Sequence, residues 1–158
     1  MLIYWLVFSL PLITFVAPFK VNNDTKNLFH FIYLFIITIF VGLRTNTGGD
    51  WKTNNHVFDG IAIFVTEDAI TKVIKNTEIG YYLLIQIAKL FNLGFHSFNF
   101  IISIFSIYCI YKLGKLSKGY LSTYVICFPY IITVVFFGFV RQGIAFCFLI
   151  LAIYFFTN

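Results

Sequence analysis

Gly42-Leu43-Arg44-Thr45-Asn46-Thr47-Gly48-Gly49-Asp50-Trp51 follows directly on the apolar run of residues 28–43. Within this one stretch the chain passes from hydrocarbon-compatible side chains to a cation, a double glycine, an acid and an indole. Such a sequence fits a membrane-crossing helix that opens into a loop at the lipid–water boundary. Glycine tolerates positive φ and lets backbone approach a ligand closely. Arg44 carries a planar fork of donors suited to phosphate or carboxylate. Asp50 offers a base or a cation ligand, and Trp51 a flat platform that sits well at an interface. The plainer alternative is a helix exit: Arg44 snorkels to the surface, the glycines make a turn and Trp51 anchors the boundary.

The remainder of the chain agrees with a membrane setting. Its 158 residues are 60% hydrophobic, 22% aromatic and only 11% charged, with a mean hydropathy of +0.91. One core of this size cannot hide that much apolar surface from water. The apolar residues form continuous runs rather than alternating ones, which points away from a strand barrel. The fold expected is all-α: a polytopic integral membrane protein with about five transmembrane helices, one interfacial helix and one long external loop. The formal net charge of +5 comes from scattered basic residues at the edges of apolar runs, so it orients the chain and is not a nucleic-acid footprint. Cys109, Cys127 and Cys147 lie inside apolar runs without metal or disulfide spacing and read as small buried hydrophobes.

In chain order, spans are expected at residues 2–19, 28–43, 95–111, 120–139 and 144–156. Pro11, Pro18 and Pro129 mark kinks or ends. Residues 78–93 differ: Glu78, Tyr82, Gln86, Lys89 and Asn92 form one polar stripe on a helix, opposite Leu83, Leu84, Ile87, Leu90 and Phe91. A sided helix of this length suits the interface better than a crossing. The 44–78 segment holds five of the six acids in the chain. Lys112, Lys115 and Lys118 mark the cytoplasmic side, with Lys20 and Lys26 as a second marker. All of these agree if residues 78–93 do not cross, the N-terminus is outside and residues 44–78 form an external loop.

That topology gathers Arg44, Asp50, Glu78 and Arg141 at the external face. A boundary arginine is costly unless it meets an anion, a carbonyl or water. Arg141 either bridges to Asp50 or Glu78, or joins Arg44 in clamping a phosphate-bearing ligand, with an acid serving as general base or orienting a hydroxyl. Transfer of a sugar from a diphosphate suits the second arrangement, since the leaving group needs positive charge and the acceptor hydroxyl needs a carboxylate. Trp51, Tyr81 and Tyr82 either stack on sugar rings or pack. His30, His56 and His96 are far apart and read as boundary residues. No phosphate-binding P-loop, HExxH or GxSxG occurs, so ATP-driven transport and serine or zinc hydrolysis have no motif in their favour. No metal and no cofactor is expected.

Four segments together, Gly42-Leu43-Arg44, Gly48-Gly49-Asp50-Trp51, Glu78-Ile79-Gly80-Tyr81 and Val140-Arg141-Gln142-Gly143-Ile144-Ala145, resemble the EpsG family. Its members are Wzy-like polymerases of bacterial exopolysaccharide and capsule clusters. The resemblance implies a multi-pass protein of the bacterial plasma (inner) membrane that joins undecaprenyl-diphosphate-linked oligosaccharide units at the outer face, in exopolysaccharide, capsule or O-antigen synthesis. Its partners would be that lipid-linked oligosaccharide, the bilayer and other polysaccharide-assembly membrane proteins. Arg44, Asp50, Glu78 and Arg141 match the charged motif positions of the family. On those positions Arg44 and Arg141 are expected to hold the diphosphate, Gln142, Trp51 and Tyr81 to contact substrate, and Asp50 or Glu78 to act on the acceptor hydroxyl. Family members are usually much longer, so residues 1–158 are expected to be a single membrane domain from the N-terminal part of a longer polymerase. The competing expectations are a flippase or transporter for the same lipid-linked sugars, and a non-catalytic truncated membrane protein.

Overall fold

The computed structural model describes residues 2–16, 23–61, 78–117 and 119–157. Among them the secondary structure is helical throughout, with no strand. The helices are α1 (Leu2–Val16), α2 (Asn23–Gly42), α3 (Trp51–Gly60), α4 (Ile79–Leu90), α5 (Phe95–Leu116), α6 (Tyr120–Cys127) and α7 (Val140–Thr157), with a π-helical segment, Phe128–Phe136, continuing α6. The wider π turn begins where Pro129 sits at its start. Proline supplies no backbone N–H to the α-helical ladder, and a slipped register accommodates that loss. The kink expected at Pro129 takes this form.

Five long elements pack side by side in alternating directions. α2 and α5 are antiparallel: Ser103 Oγ donates to the Thr38 carbonyl at 3.2 Å, and His30 lies 5.5 Å from the Tyr111 ring further along. α1 descends from Tyr4, which meets Phe40 and Phe137, to Phe8, stacked on Phe128. α6 starts beside His30, where the Tyr124 hydroxyl is 2.8 Å from its Nδ1. α7 runs parallel to α5, from Phe148 against Phe105 to Tyr154 beneath the Lys112 ammonium. Ile37, Cys109, Ile110, Tyr124, Ile132 and Cys147 are wholly buried in the shared core. Gly42 makes the α2–α5 crossing close: a Cβ there would lie 2.5 Å from Ser103 Oγ and 2.7 Å from Phe100 Cδ2. Small residues at such crossings let helix backbones approach.

The end of α2, the end of the π segment and the starts of α1, α5 and α7 therefore share one end of the bundle. Lys112 and Lys115 lie on the last turns of α5, at the other end. α5 runs past the expected limit at residue 111, and its lysine ammonium groups lie over aromatic rings: Lys112 over Tyr108 and Tyr154, Lys115 over Tyr111. Lys20 and Lys118 lie outside the described residues.

The outer surface is apolar. Phe156 is 90% exposed, Ile126 74% and Phe155 73%, and Trp5, Phe31 and Phe35 are also exposed. α5 and α7 are long and apolar enough to cross a membrane. The apolar helical stretches Asn27–Gly42, Tyr120–Phe136 and Tyr4–Ile13 are shorter. The exit at Arg44 limits the first of these. The break between the π segment and α7 limits the second.

α4 has 12 residues, about 18 Å of helix, and stays at the end of the bundle where α2 finishes and α5 begins. Its buried face is Tyr81, Ile85 and Ala88. Leu83, Ile87 and Leu90 face outward. The polar stripe turns toward α3, where Lys89 Nζ donates to the Ile61 carbonyl and lies 5.2 Å from the Phe58 ring. The segment 44–78 is thus not loop throughout: its first part folds into α3, while Glu67, Asp68, Lys72 and Lys75 lie outside the described residues.

Candidate functional site

Arg44 leaves α2 two residues after its last helical residue and turns inward. It is 6% exposed. One Nη donates to the Phe136 carbonyl at 3.1 Å, and the guanidinium lies 5.5 Å from the Phe137 ring. The sequence alone could not supply this partner. Phe136 closes the π segment, at the end of the helix where carbonyls lack an in-helix donor. Among the described residues no carboxylate lies within ion-pair distance of Arg44; the ion pair there joins Arg141 to Glu78. Burial pushes the Arg44 pKa down to about 10, against the opposing fields of Tyr81, Asp50 and Tyr4. The guanidinium remains charged at neutral pH. A desolvated cation held by one carbonyl and a ring is poised for an anion.

The turn that follows brings Asp50 within the electrostatic reach of this cation, though not into ion-pair contact. Gly48 has φ of +95°, and a Cβ on it would lie 2.6 Å from the Phe137 carbonyl oxygen. The paired glycines were expected to give positive φ and close approach to a ligand. Of the two glycines only Gly48 has positive φ, with Asn46 in the same turn at +51°, and what Gly48 approaches is the backbone after the π segment. The contact is fixed by the Asp50 N–H donating to the Gly138 carbonyl at 3.3 Å. At Gly49 a Cβ would meet only the Phe139 ring, at 3.4 Å. Gly48→Ala is accordingly expected to destabilise the protein by about 1–3 kcal/mol, whereas Gly49→Ala leaves the midpoint of thermal unfolding in detergent within error of wild type. Equal effects of the two substitutions would contradict this turn.

Asp50 precedes α3 but makes no side-chain cap bond to it; its side chain is half-buried, and among the described residues it enters no ion pair. Arg141, in the first turn of α7, donates to Glu78 Oε2 at 3.0 Å. Of the two expected arrangements for Arg141, the structure shows the bridge, with Glu78 as its acid. Glu78 is held below the ordinary carboxylate range by its own backbone N–H first and by Arg141 second. Its folded pKa is depressed, so the stabilisation from this pair is present above the ordinary glutamate value and is lost only as pH falls through the lower folded one. Both side chains are accessible, so the pair is worth less than about 1 kcal/mol. Gln142 is exposed beside it.

Tyr81 is buried on α4 against Phe98, at 5.8 Å between ring centres. Its charge environment includes Arg141, Arg44, Asp50 and Glu78, so it sits among all four charged residues. Trp51 packs edge-on against Phe95 at 5.6 Å and lies 6.2 Å from His96. Tyr82 is half-buried and its hydroxyl accepts from Gln86 Nε2 at 2.9 Å. The expected residues Arg44, Asp50, Trp51, Glu78, Tyr81 and Arg141 thus gather at one end of the bundle, carried by the α2 exit, α3, α4 and α7. His30 lies deeper in the bundle, bonded to Tyr124, and His56 is exposed on α3. Among the described residues no three of His, Cys, Asp and Glu lie together as a metal-binding group.

Two residues were passed over in the sequence. Asn54 on α3 is 1% exposed and Asn99 on α5 is 4% exposed; Asn54 lies one helical turn from buried Phe58 and Asn99 follows buried Phe98. Among the described residues neither amide has a hydrogen-bond partner, and the same holds for Arg44 Nε, Trp51 Nε1 and the Tyr81 hydroxyl. Burying an unmatched donor or acceptor costs about 1–3 kcal/mol, and folded interiors hold few. An amide inside the apolar segment 95–111, and another one turn from Asp50 on the face carrying Trp51 and Phe58, were the available signals.

A family model, that of the EpsG family, matches residues 26–158. No curated protein and no solved structure matches the chain significantly.

Proposed function

Because the chain belongs to the EpsG family, we propose that it is a multi-pass protein of the bacterial plasma membrane that joins undecaprenyl-diphosphate-linked oligosaccharide units into exopolysaccharide, capsule or O-antigen chains. In this reading α1, α2, α5, the α6–π element and α7 cross the bilayer and α4 lies in the interface. Residues 1–158 act as one membrane domain, and residues 44–78 lie outside the cell. The apolar exterior of the bundle supports that placement, since contiguous exposed apolar surface of this extent suits lipid contact.

The observation that carries the chemistry is a buried, positively charged Arg44 that has no carboxylate partner among the described residues, within the electrostatic reach of Asp50. Arg44 takes the developing negative charge of the departing diphosphate. Asp50 accepts the proton of the acceptor hydroxyl as its oxygen attacks the anomeric carbon. One carbon–oxygen bond, to the sugar, forms; another, to the diphosphate, breaks; the lipid diphosphate leaves with the electron pair. Arg141, held by Glu78 at the exposed rim and flanked by Gln142, guides the anionic headgroup inward. Trp51 and Tyr81 supply ring faces and polar edges for the sugar. Other polysaccharide-assembly membrane proteins are its natural neighbours in this pathway class.

Deleting the gene separates polymerisation from transport. Single lipid-linked repeat units accumulating at the outer leaflet, with long chains absent, is the expected result. Accumulation at the inner leaflet would overturn polymerisation and assign the arginines to a translocation path.

A further inference from the structure

The donors and acceptors left unmatched at this end of the bundle have a mixed character. Arg44 Nε and Trp51 Nε1 can only donate, whereas the Tyr81 hydroxyl and the amides of Asn54 and Asn99 can donate and accept. A phosphate accepts only, so it could satisfy the donors and would face the two amide oxygens unfavourably. An apolar lipid chain could satisfy none of them. A sugar hydroxyl both donates and accepts, and an aromatic flank beside amides is suited to a pyranose ring.

These groups stand around one cluster. Trp51 and Asn54 are a turn apart on α3, on the side that meets α5 through Phe95. Tyr81 reaches the same region from α4 through Phe98, and Asn99 follows Phe98 on α5. Asn99 is one turn from Ser103, which lies against Gly42, so it faces the α2 exit that carries Arg44. Asn54, Tyr81, Asn99 and Arg44 are each more than nine-tenths buried.

We infer that Asn54 and Asn99, with Trp51 and Tyr81, form a closed subsite that reads the hydroxyls of one uncharged sugar ring next to the charge held by Arg44. This subsite rests on the polymerase reading and adds two specificity-determining residues to it. Leaving these groups unmatched until substrate enters is a stability cost exchanged for recognition.

The chain has two tryptophans, so Trp5→Phe on the outer face of α1 leaves Trp51 as the single indole reporter. The protein in lipid nanodiscs is titrated with the methyl pyranosides of glucose, galactose, mannose and N-acetylglucosamine, and with sodium pyrophosphate at matched ionic strength. At least one pyranoside is expected to change Trp51 fluorescence saturably. Asn54→Leu and Asn99→Leu are each expected to weaken that response at least about tenfold while thermal stability is kept or raised. Asn54→Ser, smaller and still polar, serves where the leucine variant does not fold. Absence of a saturable response to all four pyranosides overturns the subsite, as does a response that survives both asparagine substitutions. A response to pyrophosphate alone that the asparagine substitutions abolish overturns it in favour of an anion site. If the sugars elicit nothing while Asp50→Asn still abolishes long-chain polymer, the subsite falls and the polymerase reading stands.

Discussion

Arg44→Met in the chromosomal gene is expected to reduce long-chain polymer at least about 100-fold, the loss typical for removing one preorganised group that stabilises transition-state charge. Methionine keeps an unbranched side chain and loses the charge. In a merely structural role, Arg44 would be a stabilising residue and its replacement would lower the unfolding temperature. The geometry predicts otherwise. The guanidinium is desolvated, bonded to the Phe136 carbonyl and without an ionic partner among the described residues, and such a charge is costly to bury. Thermal stability in detergent is therefore expected to be unchanged or higher in the variant, while polymer is lost. Gel analysis of chain length and a melting curve on the same variant read both quantities. Polymer retained alongside a collapsed melting temperature would make Arg44 a structural residue only.

Asp50→Asn and Glu78→Gln are expected to differ sharply, although both remove one carboxylate. Asp50 is half-buried, within the electrostatic reach of Arg44 and without a side-chain cap bond to α3, and in the proposed mechanism it is the proton acceptor. General-base assistance contributes roughly 100- to 10,000-fold, and the asparagine variant should lose that much polymer formation. Glu78 is already committed to Arg141 at 3.0 Å and is largely exposed. Glutamine can still accept a hydrogen bond from Arg141, and an exposed pair of this kind contributes less than about 1 kcal/mol. The glutamine variant is expected to lose less than about tenfold. The reverse pattern would exchange the two roles and place the proton acceptor at the rim.

Much of the architecture was legible because lipid imposes a simple rule. A continuous apolar run must satisfy its own backbone and so becomes a helix, and the runs beginning near residues 2, 28, 95, 120 and 144 do so. That α4 is a short, sided helix was legible too, because Tyr82, Gln86 and Lys89 line the side opposite Leu83, Ile87 and Leu90. What lay beyond the sequence depends on which groups meet. Pro129 announces a disturbance, but not that a π turn ends with the Phe136 carbonyl facing Arg44. The pair of glycines announces a turn, but not that Gly48 rather than Gly49 takes positive φ, with Asn46 beside it. Arg141 had two acids to choose from, and only folding brings it to Glu78. Asn54 and Asn99 carry no charge and belong to no motif, so their burial without partners becomes visible only in three dimensions.

Every role assigned here depends on Arg44, Asp50 and Arg141 facing the compartment opposite to Lys112 and Lys115. Single cysteines test that placement in intact cells with a membrane-impermeant maleimide, since the native Cys109, Cys127 and Cys147 are buried. Thr53→Cys, exposed on α3 beside Asp50, is expected to label without permeabilisation, and Lys115→Cys only after it. Labelling of both positions from the same side would contradict the account.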